Sequence, residues 1–326
     1  MVSNDSLSQR RVSVDLWGFL GRVSRLLVLI VMGAAVTALS PQFLTAGNLL
    51  NILRQASLIF VLAAGQTVVI LAGGIDLSMD SVASLSGVIV ANMLEADAPV
   101  PIAMAVGLAI GVGLGLFNGV IVTRVRLPPF VTTFGTWLLF KGITMWYNKY
   151  RVIHGFPESF RFFGKGRVGA VPVIILVAGA VLIIFYVLLR YTTFGRKVYA
   201  TGANPEASRV SGLHINRILI ATYAISGLMA AVAIQLYIGR LGSSLSDQGQ
   251  FFAMDAIWAS LLGGVSFVGG IGAIDQVVIG AIMIILLRNA LNLLGVPPLW
   301  HGFFTGFVVI VAVLGERFLA ARGERG

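Results

Sequence analysis

The feature that most constrains this chain is a succession of apolar runs with hardly a charge inside them. A bilayer core of about 30 Å needs around 20 apolar residues per helix, fewer where a helix is broken. Runs of this kind cover 26–40, 58–72, 81–94, 99–123, 129–146, 171–189, 218–238, 256–271, 274–294 and 299–315. Only 11% of the residues are charged and 57% are hydrophobic, whereas a soluble domain carries about a quarter charged residues. Lipid is therefore the natural solvent for most of the surface. The predicted fold is all-α: a polytopic membrane protein of about ten transmembrane helices, with Gly-broken short helices and an internal two-fold repeat.

Charge sets the orientation. With the N-terminus in the cytoplasm, the inside segments collect Arg10, Arg11, Arg22, Arg25, Arg124, Arg126, Arg190, Arg196, Lys197, Arg209, Arg217, Arg317, Arg322 and Arg325. Cytoplasmic loops are enriched in Lys and Arg, so both termini are expected inside. The opposing signal is the stretch 147–170, which places Lys149, Arg151, Arg161, Lys165 and Arg167 outside. The net charge of +10 belongs to this loop bias, and nucleic acid is not an expected partner. The expected division is a cytoplasmic tail over 1–25, one transmembrane domain over 26–315 and a cytoplasmic tail over 316–326. The first apolar run lacks a convincing small-residue cleavage site and is read as a retained anchor.

Two places interrupt the apolar pattern in similar ways. The second run ends in Gly73-Gly74-Ile75-Asp76-Leu77-Ser78; the eighth contains Gly263-Gly264, then Gly269-Gly270-Ile271-Gly272. Each Gly costs a helix about 1 kcal/mol relative to Ala, so paired Gly invites a break. Gly-interrupted segments at matching places in two halves point to a transport path near the repeat interface. Close helix approach explains either pair alone, and the 39 Gly of the chain suit it.

Catalytic patterns are scarce. No phosphate-binding loop of the form G-x-x-x-x-G-K-[ST] occurs, so this chain cannot supply its own ATPase of that type. His154, His214 and His301 are scattered, no Cys is present, and no metal site is expected. Asp76 is the notable acid, because a carboxylate between apolar runs is expensive unless it meets water, a partner or backbone donors. It can line a substrate route, or with Ser78 it can cap the helix that follows. Asp80 can do the same capping one turn later. Gln66, Thr67, Asn118, Thr133, Thr136, Asn289 and Asn292 complete the candidate substrate pathway. Amides and hydroxyls exchange hydrogen bonds with a polyol without holding it, though such groups also join helices at about 1 kcal/mol each.

The segment 190–217 is polar and basic. Asn204, Pro205 and Glu206 read as a helix start, with Pro at the first position and an acid at the positive end of the dipole. Gly212 ends that helix after two turns. By itself it is either a membrane-surface connector or a docking knob for a soluble partner.

Together these stretches resemble a known family, the permease subunits of ribose-type sugar importers of the ATP-binding-cassette class, within a group that includes branched-chain amino acid permeases. The similarity rests on an ordered set covering roughly 45 to 315: Gly73-Gly-Ile-Asp-Leu-Ser78, Thr133-Phe-Gly-Thr136, Gly202 to Gly212, Ser226-Gly-Leu228, Arg240-Leu-Gly-Ser243, Asp255-Ala-Ile257, Leu262-Gly-Gly264, Gly269-Gly-Ile-Gly272 and Asn289 to Gly295. The resemblance implies a monosaccharide or small polyol as cargo, and a bacterial inner membrane. It implies a second permease subunit, identical or different, a periplasmic sugar-binding protein, and a cytoplasmic ATP-binding subunit. ATP and magnesium would sit on that subunit, with no cofactor here. It also makes Gly202, Asn204, Pro205, Glu206, Arg209 and Gly212 the ATPase-coupling loop. Met79-Asp80, Lys141, Arg288 and the stretch 147–170 depart from the family pattern, which bears on the solute rather than the class. Another small solute, such as an amino acid, a nucleoside or a sugar-derived signal, is the alternative. Ion coupling is less favoured, since intramembrane acids are few beyond Asp76 and Asp275.

Overall fold

The computed structural model describes residues 25–308 together with 23, 310 and 311. Most of the two expected tails and the end of the last span lie outside the described residues. The helices are α1 (Arg25–Leu39), α2 (Ala46–Leu71), α3 (Met79–Glu95), α4 (Val100–Val120) and α5 (Pro129–Asn148). They continue with α6 (Glu158–Lys165), α7 (Val173–Tyr191), α8 (Thr193–Ala203), α9 (Pro205–Val210), α10 (Ile215–Leu241), α11 (Phe252–Leu262) and α12 (Ile274–Leu293). A further helix, α13, begins at 301. Among the described residues five helices are long and apolar enough to cross a membrane: α2, α4 with its π-helical extension Ile121–Val125, α7, α10 and α12. The architecture is helical, and the exceptions are two antiparallel two-residue pairings, Ile153–His154 with Ser243–Ser244 and Arg167–Val168 with Val171–Pro172.

Several element ends follow directly from the residues. Pro128 and Pro129 open α5, where a missing N–H costs nothing, and Lys149 closes it in the left-handed conformation. Gly242, at φ +76°, ends α10. Asn204 Oδ1 accepts from Ala207 N at 2.9 Å and starts α9, and Gly212 lies beyond its end at φ +81°.

Two expected spans are corrected. The second begins at Ala46 rather than 58. Its first turns hold Asn48, Asn51, Arg54 and Gln55, which read as a loop, yet Asn51 accepts from Arg240 at 2.8 Å and Asn48 exchanges hydrogen bonds with Asn289. The eighth ends at Leu262, because Gly263 and Gly264 (φ +80°) turn the chain before the apolar residues run out.

α2 and α10 form the centre. In their most apolar windows 78% of α2 is buried but only 22% of α4, so α4 presents most of its surface outward. Lipid tails are as apolar as Leu, so helix association in a membrane rests on close contact and hydrogen bonds. α4 achieves the first with Gly107, Gly111, Gly115 and Gly119, one per turn. A Cβ on Gly111 would lie 2.4 Å from Gly227 O, and one on Gly115 2.2 Å from Tyr223 O. α10 and α4 are thus in backbone contact along several turns.

Candidate transport site

The chain leaves helical geometry after Leu71 and resumes it at Met79. This break lies beside Tyr223 and Ser226, near the middle of α10. Unpaired backbone at such a depth costs several kcal/mol per group, so each of its polar groups needs a partner. Ile75 O accepts from Tyr223 Oη and from Thr133 Oγ, both at 3.2 Å. The Gln66 amide, in the orientation that satisfies it, donates to Asp76 O at 3.1 Å and accepts from Asp76 N at 3.2 Å. Gly74 N donates to Val69 O at 2.9 Å.

The Asp76 carboxylate is 1% exposed and closes the arrangement. Its Oδ1 accepts from Ser78 N (2.9 Å) and Ser78 Oγ (2.6 Å), and its Oδ2 from Ser226 Oγ (2.7 Å). Asn118 Nδ2 donates to Ser78 Oγ at 2.7 Å, while its Oδ1 is buried without a partner among the described residues. Five segments therefore meet in one polar knot: α2, the break itself, α4, α5 and α10. Charge-assisted hydrogen bonds of this kind are about twice as strong as neutral ones. The expected capping role needs correction. Ser78 stands at the start of α3 but its hydroxyl is spent on Asp76, so no side chain caps that helix.

The remaining pathway candidates are placed differently. Thr136 donates to Thr133 O within α5 at 3.2 Å. Thr67 joins α11 through Ser260 Oγ at 2.9 Å. Asn289 pairs with Asn48, away from the knot, and Asn292 is exposed. Gln66, Asp76, Asn118 and Thr133 are thus brought together, with Thr67 and Thr136 beside them and the two Asn apart. The sequence reading missed Tyr223 and Ser226 as partners of the break, although their position on an apolar helix was a visible signal.

The second break, 263–273, touches the first. Gly270 N donates to Leu71 O at 2.9 Å. Gly202, at the end of α8, completes the contact: a Cβ there would lie 1.9 Å from Leu71 O and 2.7 Å from Gly270 N. A Cβ on Gly269 (φ +95°) would sit 3.1 Å from Gly73 Cα and 3.2 Å from Gly202 Cα. Three segments meet here by backbone alone, which only Gly permits. Tyr199 Oη adds a hydrogen bond from α8 to Gly272 O at 2.8 Å.

α9 is stapled to α8 by Ser208 Oγ, which donates to Ala200 O at 2.8 Å. Its outer surface is free. Asn204, Pro205, Glu206, Arg209 and Gly212 are exposed, Glu206 pairs with Arg209 at 3.3 Å, and Val210 is 82% exposed. Gly202 alone of the expected loop residues is buried.

Asp80 corrects a second expectation. It accepts from Phe251 N at 3.2 Å and from Ala253 N, so it caps α11 and not its own helix. In the same turn of α11, Asp255 forms a two-pronged ion pair with Arg288 of α12. Among the described residues no three His, Cys, Asp or Glu side chains are grouped to hold a metal ion.

Apolar crossing helices, two glycine breaks in contact with each other and an exposed turn linked to both through α8 define a multi-pass membrane transport protein. The chain belongs to the family described as branched-chain amino acid transport system permease components, whose model matches residues 48–313. It is similar to the ribose import permease protein RbsC of Bacillus subtilis (strain 168), 37% identical over 95% of this chain and 96% of the relative. RbsC of Escherichia coli (strain K12) is 38% identical over 96% and 98%. The galactose/methyl galactoside import permease protein MglC of Escherichia coli (strain K12) is 34% identical over 90% and 94%. Such names describe transport subunits, and this chain is one rather than an enzyme. No solved structure matches it.

Proposed function

We propose that the chain is the membrane-spanning subunit of an ATP-driven importer that moves a monosaccharide or related small polyol across the bacterial inner membrane. The observation that carries this is similarity to ribose and galactose import permeases along nearly the whole of both chains. A cytoplasmic ATP-binding subunit carries ATP and magnesium, and a periplasmic binding protein delivers the sugar. A second permease subunit, identical or different, completes the channel. This chain holds no cofactor.

The permease domain spans 26–315 in about ten crossings, with the tails 1–25 and 316–326 and both termini in the cytoplasm. The two Gly breaks are counterparts in an internal repeat. What supports this is the hydrogen bond from Gly270 N to Leu71 O and their similar setting, each a Gly pair within two residues of a helix end and followed by a new helix.

Gly202, Asn204, Pro205, Glu206, Arg209 and Gly212 form the coupling loop. An ATP-binding subunit seated on exposed α9 would push α8, and α8 bears on both breaks through Gly202. ATP binding and hydrolysis then bias the permease between inward- and outward-facing states. Gln66, Thr67, Asp76, Asn118, Thr133 and Thr136, with Asn289 and Asn292 farther off, border the route. In this state most are closed by their own hydrogen bonds, and they face the solute when the helices part.

The test is purification of the tagged chain from native membranes in mild detergent, with mass spectrometry of what accompanies it. An ATP-binding subunit and a periplasmic binding protein are expected. A chain that comes alone, under conditions that preserve a control complex, refutes the ATP-driven reading.

A further inference from the structure

Asp80 and Lys141, two of the departures from the family pattern, line the same cleft. Its walls are Asp80 and Ser84 on α3, Trp137 and Lys141 on α5, and Asp247 and Gln250 on the segment 242–251. That segment leaves the end of α10 and folds back along α3 before α11 begins. Gly249 N donates to Ser84 Oγ at 3.0 Å, and a Cβ on Gly249 would lie 2.2 Å from Asp80 O. Gly87 of α3 meets Ile234 of α10, and Asp76 meets Ser226. Asp80 therefore lies between those two levels, midway along α10.

The side chains of the knot are spent on one another, but several in this cleft are not. Among the described residues Lys141 makes no ion pair and no hydrogen bond; its ammonium stands 5.4 Å from the Trp137 ring centroid. The carboxylate of Asp247 and the amide of Gln250 likewise have no hydrogen-bond partner. Three ammonium donors, a carboxylate and an amide thus converge beside an indole. Lys141 offsets one of the two wall carboxylates, Asp80 and Asp247; the remaining carboxylate disfavours an anion and the unpaired ammonium disfavours a cation. A ring whose hydroxyls each donate and accept matches this inventory, and its C–H face matches the indole. The walls stand close in this state, so a ring enters only when α5 and the segment 242–251 separate.

We propose that this cleft is a station for the solute within the membrane, binding a neutral polyhydroxylated ring against Trp137 with Lys141, Asp247 and Gln250 as its hydrogen-bond partners. This deepens the proposed function and rests on it.

The chain has no Cys, so single thiols can be placed without a background. The co-purified complex is reconstituted in vesicles with Gln250→Cys or Asp247→Cys, and with Val125→Cys, exposed beyond the end of α4, as control. Labelling by a small charged thiol reagent is timed with and without ribose or galactose during turnover. At three times the half-saturating sugar concentration, labelling in the cleft should slow about fourfold, and Val125→Cys should not respond. Trp137→Leu should raise KM for uptake with little change in kcat, and Trp137→Phe should restore it. If wild type takes up sugar but cleft labelling ignores it, the station is refuted and the function stands. If wild type takes up no member of a panel of neutral monosaccharides and small polyols, both fall.

Discussion

Substitution of Gly202 by Ala tests how α8 is joined to the breaks. The new Cβ would lie 1.9 Å from Leu71 O, whereas real Cβ atoms essentially never approach within 3.0 Å. α8 must therefore retreat by at least the difference, 1.1 Å, or Leu71 must move. Neither neighbour is a flexible side-chain end: the atoms are Leu71 O and Gly270 N, already bonded to each other at 2.9 Å. Overpacking of this kind costs about 1–3 kcal/mol, and loss of the Leu71–Gly270 bond adds about 1 kcal/mol. The reconstituted Gly202→Ala complex should keep ATP hydrolysis but lose most sugar uptake per ATP, and melt several degrees lower. Gly155→Ala, outside the coupling loop, is the control. Its φ of +81° strains Ala by about 1–2 kcal/mol, but nothing lies within 4 Å. Its uptake per ATP should stay near wild type. If Gly202→Ala couples like wild type, or if Gly155→Ala uncouples equally, contact between α8 and the breaks is not the link.

Other consequences are simpler to read. Ser226→Ala removes the only donor to Asp76 Oδ2 among the described residues and should cost about 1.5–3 kcal/mol, measured as a lower melting temperature in detergent; an unchanged value would show the knot adds nothing. Arg288→Leu leaves Asp255 buried and unpaired, at about 3–5 kcal/mol, whereas adding Asp255→Leu should recover most of that loss. A double variant as unstable as the single one contradicts the pairing. Asp80→Ala should cost about 1 kcal/mol as a lost cap and raise hydrogen exchange at Phe251 and Ala253; unchanged exchange there would mean the cap is idle.

Much of the fold was legible because its signals are local. The apolar runs, both Gly breaks and the start of α9 at Asn204–Pro205 depend on neighbouring residues only. What was hidden depends on partners far along the chain. Asn48 and Asn51 look like loop residues until Asn289 and Arg240 meet them, so the start of α2 was placed twelve residues late, at 58 rather than Ala46. Asp80 reads as a cap for α3, and its true clients are 171 and 173 residues away. Asp76 stood out as an expensive charge, but nothing local showed that Ser226, 150 residues on, would help satisfy it. The one-per-turn Gly row of α4 was present in the spacing, and only its partner, Gly227 and its neighbours on α10, was missing.

The most direct measurement is uptake of radiolabelled ribose or galactose into vesicles holding the co-purified complex, with ATP supplied on the side of α9. Uptake should require ATP and the ATP-binding subunit, and stop when ATP is replaced by a non-hydrolysable analogue. Uptake by the permease alone, driven by an ion gradient without ATP, would contradict the account.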